Sequence, residues 1–411
     1  MNERAASSRY NYTVLVVCWM GWIAIYLGRS ILAPLLPLLS SELGLTYAQV
    51  GLIESAYLVG YIVIKVPAGM VANRIGIKRT LVLSMVGYGV STALNFGATG
   101  FAHLMVFRFL LGLFQGVHLP IANTLLSERF GERQGRAIGF HESGPNVGNT
   151  VAFPLAVTIT SALGWRWAFL ILSLPAFLLA GVATIVLRDE TKIEREAQAS
   201  PKERASLRGF TRVLVPLALA HAAYNLCLRT LLIFIPSYLV EFRGMSFSAA
   251  GFVASVMPAA GIIAKVSSGF LAERAGRRTS IVAAIALSGV FILSLVWLPS
   301  GPYLTVNLVA LGLVLYAYSP IIYASVTSSL PPELKPMGLG AVTMVGNIVG
   351  ALSTFIIGVL IDGYGYRMAL STIGGLSVFA SVLIFVVMRN NSPDTDNDNL
   401  ESDSSGIPIP R

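Results

Sequence analysis

Arg29 interrupts the apolar run YLGRSILAPLLPLL at residues 26–39, and Arg229 interrupts a second apolar run 200 positions later. A guanidinium is a planar fork of donors that holds two oxygens of a carboxylate or phosphate at once. Two such forks facing each other are equipment for gripping an anion. Lys65, Lys265 and Arg108 also stand inside apolar stretches, against two acids, Glu54 and Glu142. A charge at membrane depth costs several kcal/mol and usually lines a polar cavity. An excess of about three positive charges cannot be cancelled internally and calls for anions, from solvent or as substrate. A plainer reading pairs each arginine with an acid on a neighbouring helix, and the shortage of acids speaks against it.

Further polar side chains fall near these charges. Glu54, Tyr57, Tyr61 and Lys65 recur at spacings of three or four and share one helical face. Lys65 could equally snorkel to the membrane surface. In RFLLGLFQGVHLP (108–120), Arg108 is a hydrogen-bond hub or part of a proton relay. His118, with Tyr318 and Tyr323 in the second half, is a candidate cavity donor or a packed polar residue. In GFHESGPNVGN (139–149), Glu142 is a proton carrier or a counter-ion, while Pro145, Gly144 and Gly148 loosen the helix. Tyr224, Asn225 and Asn347 complete the candidate substrate-binding set.

The elements that must carry these groups follow from composition. The 411 residues are 55% apolar and 12% charged, with a mean hydropathy of +0.72; soluble proteins carry about twice that charged fraction. Apolar runs of membrane-crossing length fall at about 13–39, 48–71, 80–98, 102–126, 136–160 and 166–187, and again at about 213–240, 248–271, 280–298, 302–328, 338–361 and 366–388. All are expected to be helices, because an open strand edge leaves backbone groups unsatisfied in lipid. The charged stretch 188–212 reads as a linker and 389–411 as a disordered tail. The polar N-terminus, residues 1–12, leads into a first helix that is retained rather than cleaved. Of the 29 Lys and Arg residues, 21 fall in loops and tails on one side, three (Arg166, Arg243, Arg367) on the other and five within the runs. That asymmetry puts both termini in the cytoplasm. The net charge of +9 is thus a topology signal, not a nucleic-acid patch. Cys18 and Cys227 lie in apolar runs and can build no disulfide framework or metal site.

The chain is also a duplication. An offset of 200 places Arg29 on Arg229, Gly51 on Gly251, Lys65 on Lys265, Gly69 on Gly269, Gly112 on Gly312 and Pro120 on Pro320. Two six-helix repeats, 13–187 and 213–388, put a binding site at their interface near mid-membrane. The loop GMVANRIGIKRT (69–80) and its repeat GFLAERAGRRT (269–279) resemble the G-x-L-A-D-R-x-G-R signature of the major facilitator superfamily. The resemblance implies twelve transmembrane helices, an all-α membrane protein of two pseudo-symmetric bundles around a central cavity. It also implies gating roles for Gly69, Asn73, Arg74, Gly76, Arg79, Gly269, Glu273, Arg274, Gly276 and Arg277, with Gly69 allowing close helix contact and the basic residues bonding a carboxylate across the domain gap. Asn73 and Glu273 replace the signature's aspartate.

YLGR (26–29), K-x-P-x-G (65–69), LFQG (113–116) and PNVG (145–148) resemble the organophosphate:phosphate antiporter branch, in which arginines matching Arg29 and Arg229 hold the phosphoryl group. The related anion:cation symporters for sugar acids share the first arginine but place acids where this chain has Gly28 and Gln115. The expectation is a secondary transporter of the cytoplasmic membrane that moves a small organic anion, organophosphate or carboxylate, by alternating access and exchange. The alternatives are a proton-coupled monocarboxylate or sugar-acid symporter using Glu54 or Glu142, and a transporter-like receptor for a phosphorylated metabolite. A cation exporter would need deep acids. No nucleophile–base pair, metal cluster or nucleotide loop points to an enzyme, no cofactor is implied, and a monomer is expected.

Overall fold

The computed structural model describes residues 2–188, 207–331 and 334–390. Most of the expected linker and tail, 189–206 and 391–411, lies outside the described residues. Everything regular among the described residues is helical. In chain order the α-helices are α1 (Asn2–Ser30), α2 (Leu32–Leu43), α3 (Tyr47–Val63), α4 (Lys65–Ile75), α5 (Ile77–Ala93), α6 (Phe101–Phe130), α7 (Gln134–His141), α8 (Gly144–Leu163) and α9 (Trp165–Val186). They continue with α10 (Thr211–Ser237), α11 (Phe247–Ala275), α12 (Arg277–Ser294), α13 (Pro302–Ser328) and α14 (Lys335–Asn390). By length and apolarity alone, eight helices among the described residues can cross a membrane, or nine if the bent pair Tyr47–Val63 and Pro67–Ile75 is one span. The sequence suggested twelve runs. Two of them are joined in α14, where only Gly365, at φ 76°, departs from helical geometry.

Three of the breaks have one cause. Proline has no N–H and its ring crowds the carbonyl four residues earlier. Pro34, Pro67 and Pro145 thereby disrupt the turns at Ser30, Val63 and His141, where α1 gives way to α2, α3 to α4 and α7 to α8. Arg29, Lys65 and Glu142 each sit at one of these breaks. The corresponding second-half cations, Arg229 and Lys265, lie inside the unbroken helices α10 and α11.

Glycines set the helix spacing. Gly112 of α6 backs onto the Tyr57 carbonyl of α3, and Gly312 of α13 backs onto the Met257 carbonyl of α11, the same pair moved by 200 residues. Gly144 and Gly148 of α8 press against Trp19, Trp22, Ile23 and Tyr26 of α1; Gly346 and Gly350 of α14 press against His221, Asn225 and Arg229 of α10. A side chain at any of these positions would collide with its neighbour, the packing logic of small residues in membrane helices.

One end of the molecule is closed. There Gly51 lies against the backbone of Thr354 and Phe355, and Gly358 against that of Tyr47. Ser55 Oγ donates to the Ala351 carbonyl at 2.6 Å. Asp362 caps the start of α3, accepting from the backbone N–H groups of Tyr47 and Ala48 at 2.8 Å each, and Glu241 accepts from the hydroxyls of Tyr47 and Tyr366. At the other end Gly69 and Gly269 face open space. The close helix contact expected of Gly69 is not made.

Candidate functional site

A cavity of about 170 Å³ lies among α1, α3, α4, α6, α8, α10, α11, α13 and α14. Its wall carries Arg29, Arg229, Lys65, Lys265, Tyr61, Tyr224, Asn225, Tyr323, Asn347 and Glu142. Glu54 lines an adjoining recess with Arg29 and Arg229.

Arg29 is not the unpaired charge that its sequence context suggested. Its Nη2 donates to Glu54 Oε1 at 2.8 Å, with both side chains 8% exposed. Its guanidinium carbon also stands 4.3 Å from the centre of the Tyr57 ring, a cation–π contact. Tyr57 stacks on Tyr61 with centroids 6.0 Å apart, and Lys65 Nζ lies 4.6 Å from the Tyr61 centroid. Arg29 of α1 and Lys65 of the stripe therefore bracket its two tyrosines in a ladder. Arg229 belongs to no salt bridge among the described residues, and its Nε has no hydrogen-bond partner.

Behind the cavity, α6 grips the backbone of α1. Arg108 Nη1 donates to the Arg29 carbonyl at 2.7 Å, and Gln115 Nε2 donates to the Ile25 carbonyl at 3.1 Å. His118 Nε2 lies 3.1 Å from the Cys18 carbonyl oxygen. Arg108 is wholly buried, off the cavity wall, and paired with a backbone carbonyl rather than an acid. The cavity's excess of positive charge is therefore two, not three.

His118 also lies away from the cavity, stacked on Trp22 and 3.4 Å from His141. The absent side chain of Gly21 leaves room for it there. Tyr318 is buried against Tyr224, and Tyr57 lies beneath Arg29 rather than on the wall. Conversely, the wall includes Trp22, Tyr26, Asn146, Asn149, His221, Tyr316, Ser319 and Thr343, which sequence reasoning passed over. His221, Asn225 and Arg229 are one turn apart on α10, so spacing from Arg229 could have found His221. Asn146 and Asn149 sit in a motif valued for Glu142, Pro145 and its glycines but not for its asparagines.

At the open end Asn73, Arg74, Arg79, Glu273, Arg274 and Arg277 are exposed. Gly76 and Gly276 take φ of 92° and 80°, the region where glycine is favoured, and turn the chain from α4 to α5 and from α11 to α12. Arg277 bonds Ser328. No salt bridge among the described residues involves Arg74, Arg79 or Arg274, so the carboxylate contact expected across the gap is not made with this end open.

A family description, the Major Facilitator Superfamily, matches residues 18–315 and, in a second overlapping match, 217–405. The chain belongs to the Major Facilitator Superfamily. It is therefore a multi-pass membrane protein. It is similar to the D-galactonate transporter of Escherichia coli O6:H1, 25% identical over 417 residues that cover 92% of this chain and 95% of the relative. It is similar also to the hexuronate transporter of Bacillus subtilis, 25% identical over 403 residues that cover 93% and 96%. Among solved structures, a bacterial homolog of the human lysosomal transporter Spinster superposes with a TM-score of 0.80 at 18% identity, covering 93% of this chain and 99% of the other. These superfamily relatives are transporters and not enzymes.

Proposed function

We propose that the protein is a secondary active transporter that moves a small organic anion across the cytoplasmic membrane by alternating access. Twelve spans form two six-helix bundles, residues 13–187 and 213–388, joined by the linker 188–212, with both termini cytoplasmic. The 200-residue offset between the Gly112–Tyr57 and Gly312–Met257 contacts supports that pairing of halves. With the basic loops in the cytoplasm, the closed end faces outward and the cavity opens inward. Arg29 and Arg229 form the anion clamp.

The observation that carries this reading is Arg229, a cation on the cavity wall with no acid partner, sharing a recess with Arg29. Arg229 is half-buried, and a charge drawn partly out of water without a partner is costly unless a ligand completes it. The relatives that transport galactonate and hexuronate support a carboxylate as that ligand. Arg229→Lys keeps the charge and loses the fork, and should abolish anion counterflow in proteoliposomes. Wild-type counterflow in that variant refutes the clamp.

Exchange follows if an empty cavity resists closure. The Arg29–Glu54 contact favours a second reading, proton symport. A substrate carboxylate arriving at Arg29 displaces Glu54, which then needs a proton to remain buried. Uptake driven by an imposed pH gradient, and lost in Glu54→Gln, distinguishes symport from exchange.

A further inference from the structure

Helices α8 and α11 meet across the two halves and then part like the arms of a V. Near the closed end the Ser161 and Ser248 hydroxyls lie 3.4 Å apart, and Gly251 packs on the Val157 side chain. Further along, Asn146 Nδ2 donates to the Pro258 carbonyl at 3.4 Å and crowds Gly261. Beyond Asn146 the arms diverge, and a cavity of about 460 Å³ opens among the α7–α8 break, α11 and α13. Ile262, Val266, Pro320 and Tyr323 give it a largely apolar wall, whereas Glu142, Asn146 and Lys265 belong both to it and to the polar cavity. Val266 is 75% exposed, and Ile263 and Phe270 beside it are exposed too, so the gap runs out onto the face that α11 presents to lipid.

Lys265 stands where the apolar gap meets the polar cavity. It forms no salt bridge among the described residues, and its Nζ makes a long contact of 3.5 Å with the Glu142 carbonyl. With Lys65 on the same cavity wall and Glu142 as the local acid, this region carries one net positive charge. Its depth selects among anions. Lys265 precedes Ala275, the end of α11, by ten residues, about 15 Å of helix and about half the hydrocarbon core of a bilayer. A phospholipid headgroup, held at the surface by its two chains, stays short of that depth. The carboxylate of a single-chain acid reaches it, with the chain lying outward through the gap.

Resting on the alternating-access reading above, we infer that this gap binds a single-chain amphiphilic anion, a fatty acid of the cytoplasmic leaflet, that holds the protein open instead of being carried. Its carboxylate pairs with Lys265 and its chain lies along Ile262 and Val266. A neutral chain gains little by leaving lipid for a pocket of like polarity, so the charge at Lys265 selects the occupant. The contacts between α8 and α11 keep one antiparallel register, a step along the first matched by a like step along the second. Continued past Asn146, that register sets Ser143 opposite Lys265 and Gly139 opposite Gly269. Both glycines face open space, and small residues let membrane helices approach closely. Closing the open end zips this seam and eliminates the gap, so a chain lying there has to leave first.

The test uses the full-length protein in phosphatidylcholine nanodiscs and dodecanoic acid with a diazirine at the middle of its chain. Photolabelling should fall on residues 139–146 and 262–266 and be competed by dodecanoate but not by dodecanol. Lys265→Gln should lower it at least fivefold, and Lys265→Arg should retain it. Gly139→Leu fills the gap, leaves every charge in place and should lower it as far. With Ser55→Cys at the closed end as reporter, dodecanoate should slow labelling by an impermeant maleimide at least fivefold. Photolabel spread over the lipid-facing surface and indifferent to Lys265 and Gly139 overturns the site. A labelled gap with an unchanged maleimide rate overturns the hold on the open state. Neither result touches the carried anion, which counterflow in Arg229→Lys tests separately.

Discussion

Glu54→Gln isolates the competition for Arg29. The substitution keeps the shape of the side chain and removes one negative charge. Arg29 stays in place, since Tyr57 still lies beneath it and Arg108 still holds its carbonyl. In the wild type an incoming carboxylate must replace the 2.8 Å contact between Arg29 and Glu54. A hydrogen bond to a charged group contributes about 1.5–3 kcal/mol, and each 1.4 kcal/mol is about a factor of ten in affinity. The variant should therefore bind its anion about ten- to a hundredfold more tightly. It should also be less stable when empty, because breaking one side of a buried ion pair costs about 3–5 kcal/mol, and saturating anion should raise its melting temperature more than it raises that of the wild type. Calorimetry at fixed pH measures the first effect and a thermal scan the second. Equal or weaker anion binding by the variant would refute the idea that Glu54 and substrate share Arg29.

Gly112→Leu places a side chain against the Tyr57 carbonyl; overpacking costs typically 1–3 kcal/mol and more where backbone is struck. The variant should be lost from the monodisperse peak in size-exclusion chromatography, and normal yield and melting would contradict the packing argument. Asp362→Ala removes the two bonds that Asp362 accepts from the start of α3 and leaves the Thr46–Gln49 capping box in place; the loss of about 1 kcal/mol should populate the outward-open state. With Ser55→Cys as reporter, labelling by an impermeant maleimide from outside should rise severalfold. The native Cys18 and Cys227 are both buried and contribute little background. Unchanged labelling would mean that the cap does not hold the closed end.

The charges of the site were legible because a lysine, arginine or glutamate is rare in an apolar helix, and the duplication supplied Arg29 and Lys65 with counterparts. Which of them pair was not legible. Whether Glu54 reaches Arg29 depends on how α3 is rotated against α1, and that rotation is set by Gly60 and Gly112 at the α3–α6 contact. His118 misled for a related reason. Its spacing on α6 does not reveal that Gly21 faces it and leaves a slot between α1 and α6. Neutral polar residues such as Asn149 and His221 were harder still, since each satisfies the pattern of a packed residue as well as that of a cavity donor. Prolines 34, 67 and 145 could all have been read as helix breakers, yet their common placement beside Arg29, Lys65 and Glu142 becomes meaningful only when the breaks are seen to bend into one cavity.

The same arrangement indicates what limits the change between the two open states. Opening the closed end exposes the cap at Asp362, the Ser55–Ala351 bond and the tyrosine contacts of Glu241. At about 0.5–1.5 kcal/mol for each neutral bond and more for the charged ones, that loss is several kcal/mol. Closing the other end must offset it, and there the outcome depends on charge. Bringing the halves together around an empty cavity withdraws solvent from four bases and two acids, a net charge of two. The cost of dehydrating that charge opposes closure, whereas a bound anion reduces it in proportion to its own charge. A neutral molecule filling the same volume would make contacts without removing the electrostatic penalty. Anion charge, rather than fit alone, therefore decides whether the loaded cavity can close. The contact of Gly251 with the Val157 side chain and the flat contact of Gly51 with Thr354 provide surfaces that can part without breaking an ion pair. Neutral analogues of a bound acid should accordingly occupy the site, if at all, without being carried across.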